Sequence, residues 1–244
     1  MISKAGYDPR TVARNIPGIL SAVFPRLTPG IVALYNKSAE GYEVTAVPLE
    51  KIKESQLQKS FLFEVGFAVG EQLLSHSAFD WNQCLKIAMD RQSRFFDVVP
   101  PKYISEADKQ IAWSVGENLA TMVREVALKN NSSYGAAPVI PGYRWISSGY
   151  GDFSAGSTLI EVKCIATNFS AADYRQIAMY WLLSYSAAVE VGDIEWRSCY
   201  LLNPRMVQTV KVNFDEFISL VSGGRSKAEI LQVFSAILND INEL

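Results

Sequence analysis

Histidine is nearly missing from this chain: His76 is the single one among 244 residues. A Ser/His/Asp triad would have to use that one imidazole, and a histidine-built metal site has no donors to draw on. Its place beside Ser75 and Ser77, at the expected end of a helix, suits a surface role facing the helix dipole. Cysteine is sparse as well. Cys84, Cys164 and Cys199 lie far apart with no CxxC pair, which argues against a zinc ribbon and a disulfide framework and leaves reduced, buried thiols as the expectation. The amino terminus carries Lys4, Asp8, Arg10 and Arg14, and its apolar stretch Ile19 to Phe24 falls well short of the ~18 residues a membrane span needs. No membrane partner and no secretory signal are expected, and the chain reads as cytoplasmic. It also lacks a P-loop and a GxGxxG fingerprint, so any ATP-driven motor would be a separate protein.

Neither sign of charge dominates. Lys and Arg number 23 against 25 Asp and Glu, a net charge of −2, which is not the composition of a non-specific nucleic-acid coat. Binding to DNA would need a local patch, for which Lys129, Arg144, Lys163, Arg175, Arg197, Arg205 and Lys211 are candidates. With 49% hydrophobic and 20% charged residues, and no low-complexity run or repeat, the chain is globular and long enough to bury a real core.

The first 30 residues contain Pro9, Pro17, Pro25 and Pro29 and read as short helices broken by turns. Two β-prone runs, 31–35 and 42–47, predict a hairpin. Residues 49–75 read as one long helix, apolar nearly all round in its second half, where Glu64 and Glu71 are expected to pair with Lys or Arg. Asp80 is the N-cap of a helix over 81–96, and Pro100-Pro101 ends that region. Ser105-Glu106-Ala107-Asp108 resembles a capping box and opens a helix to about residue 129. A loop over 130–135 then leads to a first strand at 143–146. Beyond the central motif, strands are expected at 195–202 and 207–212, a short helix over 214–221, and a last amphipathic helix from Ser226. The apolar stripe of that last helix suits core packing first and a homodimer or partner interface second.

The most specific chemistry lies between Gly151 and Tyr180. A strand over 158–166 places Leu159, Glu161, Lys163 and Ile165 on one face and Thr158, Ile160, Val162, Cys164 and Ala166 on the other. A buried Glu and Lys each cost several kcal/mol to desolvate unless paired or bound. With Asp152 arriving from the preceding hairpin, two carboxylates and one ammonium are available for a hard divalent cation and a phosphate. The same residues also suit a plainer arrangement, a solvated i,i+2 pair on an amphipathic strand and a turn aspartate between glycines. In the helix opened by Ser170-Ala171-Ala172-Asp173, Gln176 and Tyr180 share a stripe with Asp173, separate from the packing stripe of Tyr174, Ile177, Ala178 and Trp181.

Asp152, followed after eight residues by Glu161-Val162-Lys163, resembles the signature of the PD-(D/E)XK, or restriction-endonuclease-like, nuclease superfamily. Gln176 and Tyr180, four apart on the next helix, are similar to its RecB-like branch. Gly151 stands where the signature has proline. The resemblance covers roughly residues 105–215 and implies an α/β fold, with a mixed central sheet flanked by helices. Residues 105–244 would form the nuclease core, and 1–104 a mainly helical accessory region containing the hairpin. It further implies Mg²⁺- or Mn²⁺-dependent hydrolysis of DNA phosphodiesters, with Asp152 and Glu161 on the metal and Lys163 positioning the nucleophile. Gln176 and Tyr180 would support them or hold phosphate. Glu117 matches by position an additional metal or water ligand, although a solvated or salt-bridged helical glutamate is its first explanation. A helicase, ATPase or other activating subunit, and a role in prokaryotic antiviral defence, follow from the habits of that superfamily. The rival readings are a catalytically silent protein of the same fold used for binding or assembly, and a nuclease acting on RNA or structured DNA.

Overall fold

The computed structural model describes residues 6–75, 77–93, 101 and 103–242, so the expectations placed on His76 and on the region from residue 94 through Pro100 lie outside the described residues. Helices α1 (Pro9–Asn15), α2 (Pro17–Val23) and α3 (Pro29–Lys37) precede strand β1 (Glu40–Gly41). Helices α4 (Leu49–Glu54), α5 (Lys59–Leu74), α6 (Trp81–Gln92) and α7 (Glu106–Lys129) follow. The central region holds β2 (Tyr134–Ala136), β3 (Val139–Ile140), β4 (Gly149–Tyr150), β5 (Phe153–Ala155), β6 (Thr158–Val162) and α8 (Ala171–Val191). The chain closes with β7 (Ser198–Asn203), β8 (Gln208–Asn213), α9 (Phe214–Ser222) and α10 (Lys227–Asn242).

Six strands form a mixed sheet in the order β1-β8-β7-β6-β5-β2, and β3 pairs separately with β4. Strands β2, β5 and β6 run antiparallel as a meander, α8 crosses over, and β7 returns parallel to β6 before β8 turns back. The protein is thus an α/β structure with helices on both faces of a mixed sheet. Alternation along β6 divides the layers. Ile160 and Val162 join Phe153, Tyr200 and Leu202 against Leu119, Met122, Val123 and Val126 of α7. On the opposite face Leu159, Cys199 and Leu201 pack against Tyr174, Ile177, Ala178 and Trp181 of α8, with Val12 and Ala13 of α1 and Phe234 and Leu238 of α10 in the same cluster. The apolar stripe of α10 is therefore core. No helix among the described residues is long and apolar enough to cross a membrane.

Capping chemistry sets the main helix starts. The Ser105 hydroxyl accepts from the Asp108 N–H at 3.1 Å, and the Asp173 carboxylate accepts from the Ser170 N–H and hydroxyl at 2.8 and 2.7 Å. Gly192, at φ 75°, ends α8 in the left-handed conformation that glycine adopts without a Cβ penalty.

Several elements differ from the sequence reading. No hairpin forms over 31–47. Residues 31–35 lie inside α3, where Pro29 at the first turn presets the helical φ and Ala33 and Leu34 favour the helix. Residues 42–47 run along the sheet edge outside any strand; Val47 donates its N–H to the Arg205 carbonyl at 3.0 Å, and β1 alone pairs with β8. The long helix over 49–75 is two helices, broken where the Ser55 hydroxyl accepts from the Leu57 N–H at 3.2 Å, a local bond that competes with the helical ladder. Residues 143–146 form a tight turn closed by reciprocal Tyr143 and Ile146 backbone bonds of 2.9 and 3.0 Å, with Arg144 at φ 56°. The first strand of the meander is instead β2, which begins inside the stretch read as a loop.

Helices α5 and α7 cross at close glycine contacts. A Cβ on Gly116 would lie 2.7 Å from Val69 Cβ and 2.8 Å from the Gly70 backbone nitrogen, and one on Gly66 would lie 2.8 Å from Val115 Cβ. Backbone on the far side cannot swing away as a side chain can. Gly116→Ala should therefore destabilise the fold by about 1–3 kcal/mol despite the better helix propensity of alanine. Gly18→Ala, where a Cβ meets nothing within 4 Å, should be neutral or stabilising, and urea denaturation of the two variants checks the contrast.

Candidate active site

The β5–β6 register pairs Phe153 with Ile160, which places Asp152, one residue before β5, at the level of Glu161. The Val162 N–H donates to Asp152 Oδ2 at 2.7 Å, fixing the carboxylate across the strand pair. Gly151 has a steric reason: a Cβ there would lie 2.9 Å from Leu159 Cδ1 and 3.3 Å from Pro138 Cγ. The strand itself ends at Val162, but Lys163 stays in register because its N–H donates to the Leu202 carbonyl at 2.8 Å.

Glu161 and Lys163 point to the α8 side and are 1% and 7% exposed, too little for a solvated edge pair. The Lys163 ammonium donates to Glu161 Oε1 at 2.5 Å and to Gln176 Oε1 at 3.2 Å. The Gln176 amide donates to the same Glu161 oxygen at 2.5 Å and to the Tyr180 hydroxyl at 3.0 Å. Glu161, Lys163, Gln176 and Tyr180 thus form one network, and Asp152 adjoins it. Glu161 Oε2 has no hydrogen-bond partner although it is buried. An unpaired carboxylate oxygen in such a setting costs free energy that a ligand, an ordered water or a proton would offset.

Charge builds up at this point. Burial first, and then the charge of Glu161, push the Asp152 carboxyl up to about 7, against the opposing influence of Lys163, the Val162 N–H and Arg10. Burial, with Glu161 and Asp152 behind it, raises the Tyr180 phenol, so it stays protonated at neutral pH. A divalent cation with oxygen preference would answer both the orphaned oxygen and the crowding of acids, and Mg²⁺ or Mn²⁺ suits carboxylate donors. Asp152 and Glu161 are the residues that would hold it. Among the described residues no group of three His, Cys, Asp or Glu side chains forms a metal cluster, so water or substrate oxygen would fill the other positions, as is common for Mg²⁺.

A cavity of about 380 Å³ opens in front of Lys163, bounded in part by Arg10, Arg14, Glu64, Phe67 and Asp173. Neither Glu161 nor Asp152 lines this cavity; Lys163 is the member of the network that reaches it. Glu117 does not join this group: it is exposed on α7 and lines a separate cavity with Ser114, Thr121 and Arg124. The acid that α5 does present to the cleft is Glu64, whose carboxyl burial pushes up and Arg91 and Arg10 pull down. Arg91 pairs with Glu71 at 2.7 Å and reaches Glu64 at 3.9 Å, in line with the expected pairing of both acids. Of the candidate basic patch, Lys163 alone borders the cavity, while Lys129, Arg144, Arg205 and Lys211 lie over the rings of Tyr42, Tyr143, Phe63 and Tyr200. The cationic groups that the sequence reading missed are Arg10 and Arg14. Arg14 bonds Asp173 at 2.6 Å and Gln176 Oε1 at 3.2 Å. Their i,i+4 spacing on a short helix was the available signal, but nothing local indicates that α1 docks beside α8.

Two stability measurements in chelator test this electrostatic picture. Lys163→Met should cost about 3–5 kcal/mol by leaving the Glu161 charge buried without its partner, and Glu161→Gln added to it should recover most of that loss in a double-mutant cycle. The Asp152 carboxyl holds its proton more tightly in the folded chain than unfolded, so its contribution to stability is complete below about pH 4 and is lost as pH rises toward about 7. Asp152→Asn should remove that decline from the pH dependence of the urea midpoint.

Comparison with family models, with curated proteins and with solved structures finds no match in any of the three.

Proposed function

We propose that this chain is a Mg²⁺- or Mn²⁺-dependent nuclease that hydrolyses DNA phosphodiesters, with a PD-(D/E)XK-type core of the RecB-like branch. The observation that carries the reading is the buried network joining Glu161, Lys163, Gln176 and Tyr180 next to Asp152, with one Glu161 oxygen left without a partner. The order of elements supports it: a helix, an antiparallel meander bearing the acids, a crossover helix bearing Gln176 and Tyr180, then a strand parallel to β6.

In this reading a water oxygen attacks phosphorus and gives up a proton to solvent as the new P–O bond forms, and the P–O bond on the opposite side breaks, its oxygen taking up a proton from solvent, so that one water is consumed per bond cut. A bound divalent cation would lower the pKa of a ligating water and neutralise phosphate charge. Lys163 holds an ammonium where negative charge develops, and its low exposure strengthens that interaction. Gln176 orients Glu161 and Lys163 together through its amide oxygen and nitrogen. Tyr180, protonated and bonded to Gln176, fixes the glutamine rotamer.

A second reading rests on the same bonds. Lys163 and Gln176 are both engaged with Glu161, which also describes a self-contained structural cluster in a catalytically silent binding or assembly protein. Mn²⁺ titration separates the two, because an enzyme requires a site that is lost in Glu161→Gln.

Plasmid DNA, single strands and RNA offered with Mg²⁺ or Mn²⁺ test the activity and its substrate class. Glu161→Ala and Lys163→Ala should each lower cleavage at least about a hundredfold, roughly 3 kcal/mol of barrier. Equal cleavage by the wild type and both variants would remove the assignment.

A further inference from the structure

The amino-terminal helix contributes a cation that the site itself does not use. Val12 and Ala13 are buried against α8, and the Asp8 carboxylate caps α1 by accepting from the Thr11 N–H at 3.0 Å. The start of the helix is held from the other side too. The Tyr7 carbonyl accepts from the Ser147 N–H at 3.0 Å, Tyr7 bridges to Ile146, and a Cβ on Gly149 would come within 2.8 Å of Pro9 Cδ. Arg10, the next residue, therefore projects from fixed backbone into the rim of the cavity.

Arg14, one turn on, is engaged by Asp173 and Gln176, and Arg91 is engaged by Glu71 and Glu64. Arg10 makes no hydrogen bond or ion pair among the described residues, although it borders the same cavity as Lys163 and Glu64. Arg10 stays exposed at this rim, and although the part of it that is covered would depress its guanidinium, the fields of Glu161, Asp152 and Glu64 outweigh that and hold it charged. Once a divalent cation balances Asp152 and Glu161, the positive charge of Arg10 is surplus. A planar, five-donor fork at the mouth of a cleft suits a phosphate oxygen pair.

We propose that Arg10 is a substrate-binding residue, contacting a backbone phosphate of the polynucleotide that enters the cleft in front of Lys163, with Arg14 as a positioning residue that holds Gln176. This deepens the nuclease reading and rests on it for the identity of the phosphate. Lys163 and Arg10 then mark two points along one strand, so the amino-terminal helix belongs to the substrate site.

The test is fluorescence anisotropy of a labelled DNA duplex, and separately of a single strand, on the full chain with Ca²⁺ over a range of salt. Wild type, Arg10→Gln and Arg10→Lys are compared after matching thermal midpoints confirm folding. Arg10→Gln should weaken binding about tenfold and reduce the slope of log affinity against log salt by about one, with Arg10→Lys between it and wild type. In cleavage with Mg²⁺, Arg10→Gln should raise KM by a similar factor and leave kcat nearly unchanged. Equal affinity and slope in wild type and Arg10→Gln would overturn the proposal, as would absence of binding by wild type. Cleavage that depends on Glu161 but ignores Arg10 would remove only the Arg10 role. Arg10-dependent binding without Glu161-dependent cleavage would remove the nuclease reading and leave that role in place.

Discussion

The buried contact between the Lys163 ammonium and the Glu161 carboxylate is the constraint around which the central region is built. Two ions taken out of water cost several kcal/mol each, and the attraction between them repays this only when further hydrogen bonds complete the shell. Gln176 supplies those bonds with both ends of its amide, which requires α8 to cross the sheet at the height of residues 161 and 163. The capping of α8 by Ser170 and Asp173 sets where its first turn starts, and the Arg14 bond to Asp173 ties that turn to α1. Register, helix start and helix docking thus serve one small cluster of charge.

The shell is complete on one side only. Oε1 of Glu161 receives Lys163 and Gln176, whereas Oε2 receives no protein donor, and Asp152 stands close enough for the charge of Glu161 to add to the effect of burial in raising its carboxyl. A cluster serving stability alone gains from pairing every lone pair, and replacing such a cluster with apolar side chains is often neutral or favourable. Ionisable groups kept beside a cleft at this expense are more typical of sites that bind or react.

Sequence patterning conveyed the parts of this arrangement that depend on local physics. The alternation along 158–163 placed Glu161 and Lys163 on one face, and the capping residues at Ser105 and Ser170 located α7 and α8 correctly. Strand β2 escaped notice because Tyr134-Gly135-Ala136 lies at the sheet rim, largely exposed, with no apolar alternation to mark it. The 31–35 segment carries β-branched residues, yet Pro29 and the packing of Val32 decide for helix. Glu117 and Glu64 show the limit for sites. Each is an acid on a helix, and only the way α5 and α7 cross determines which one faces the cleft. Arg10 was illegible for the same reason, since Glu64, Asp152 and Glu161, the acids that act on it, lie on distant elements of the chain.

The two rims of the sheet have a bearing on how the protein behaves in a crowded solution. On one side the outermost strand is the two-residue β1, and on the other it is the three-residue β2. Ribbons that short present too few unpaired amides in a row to template an incoming chain. The apolar strands β6 and β7, which would be hazardous if bare, are each flanked on both sides, so the part of the sheet richest in buried leucine, isoleucine and valine offers no free edge to a second molecule.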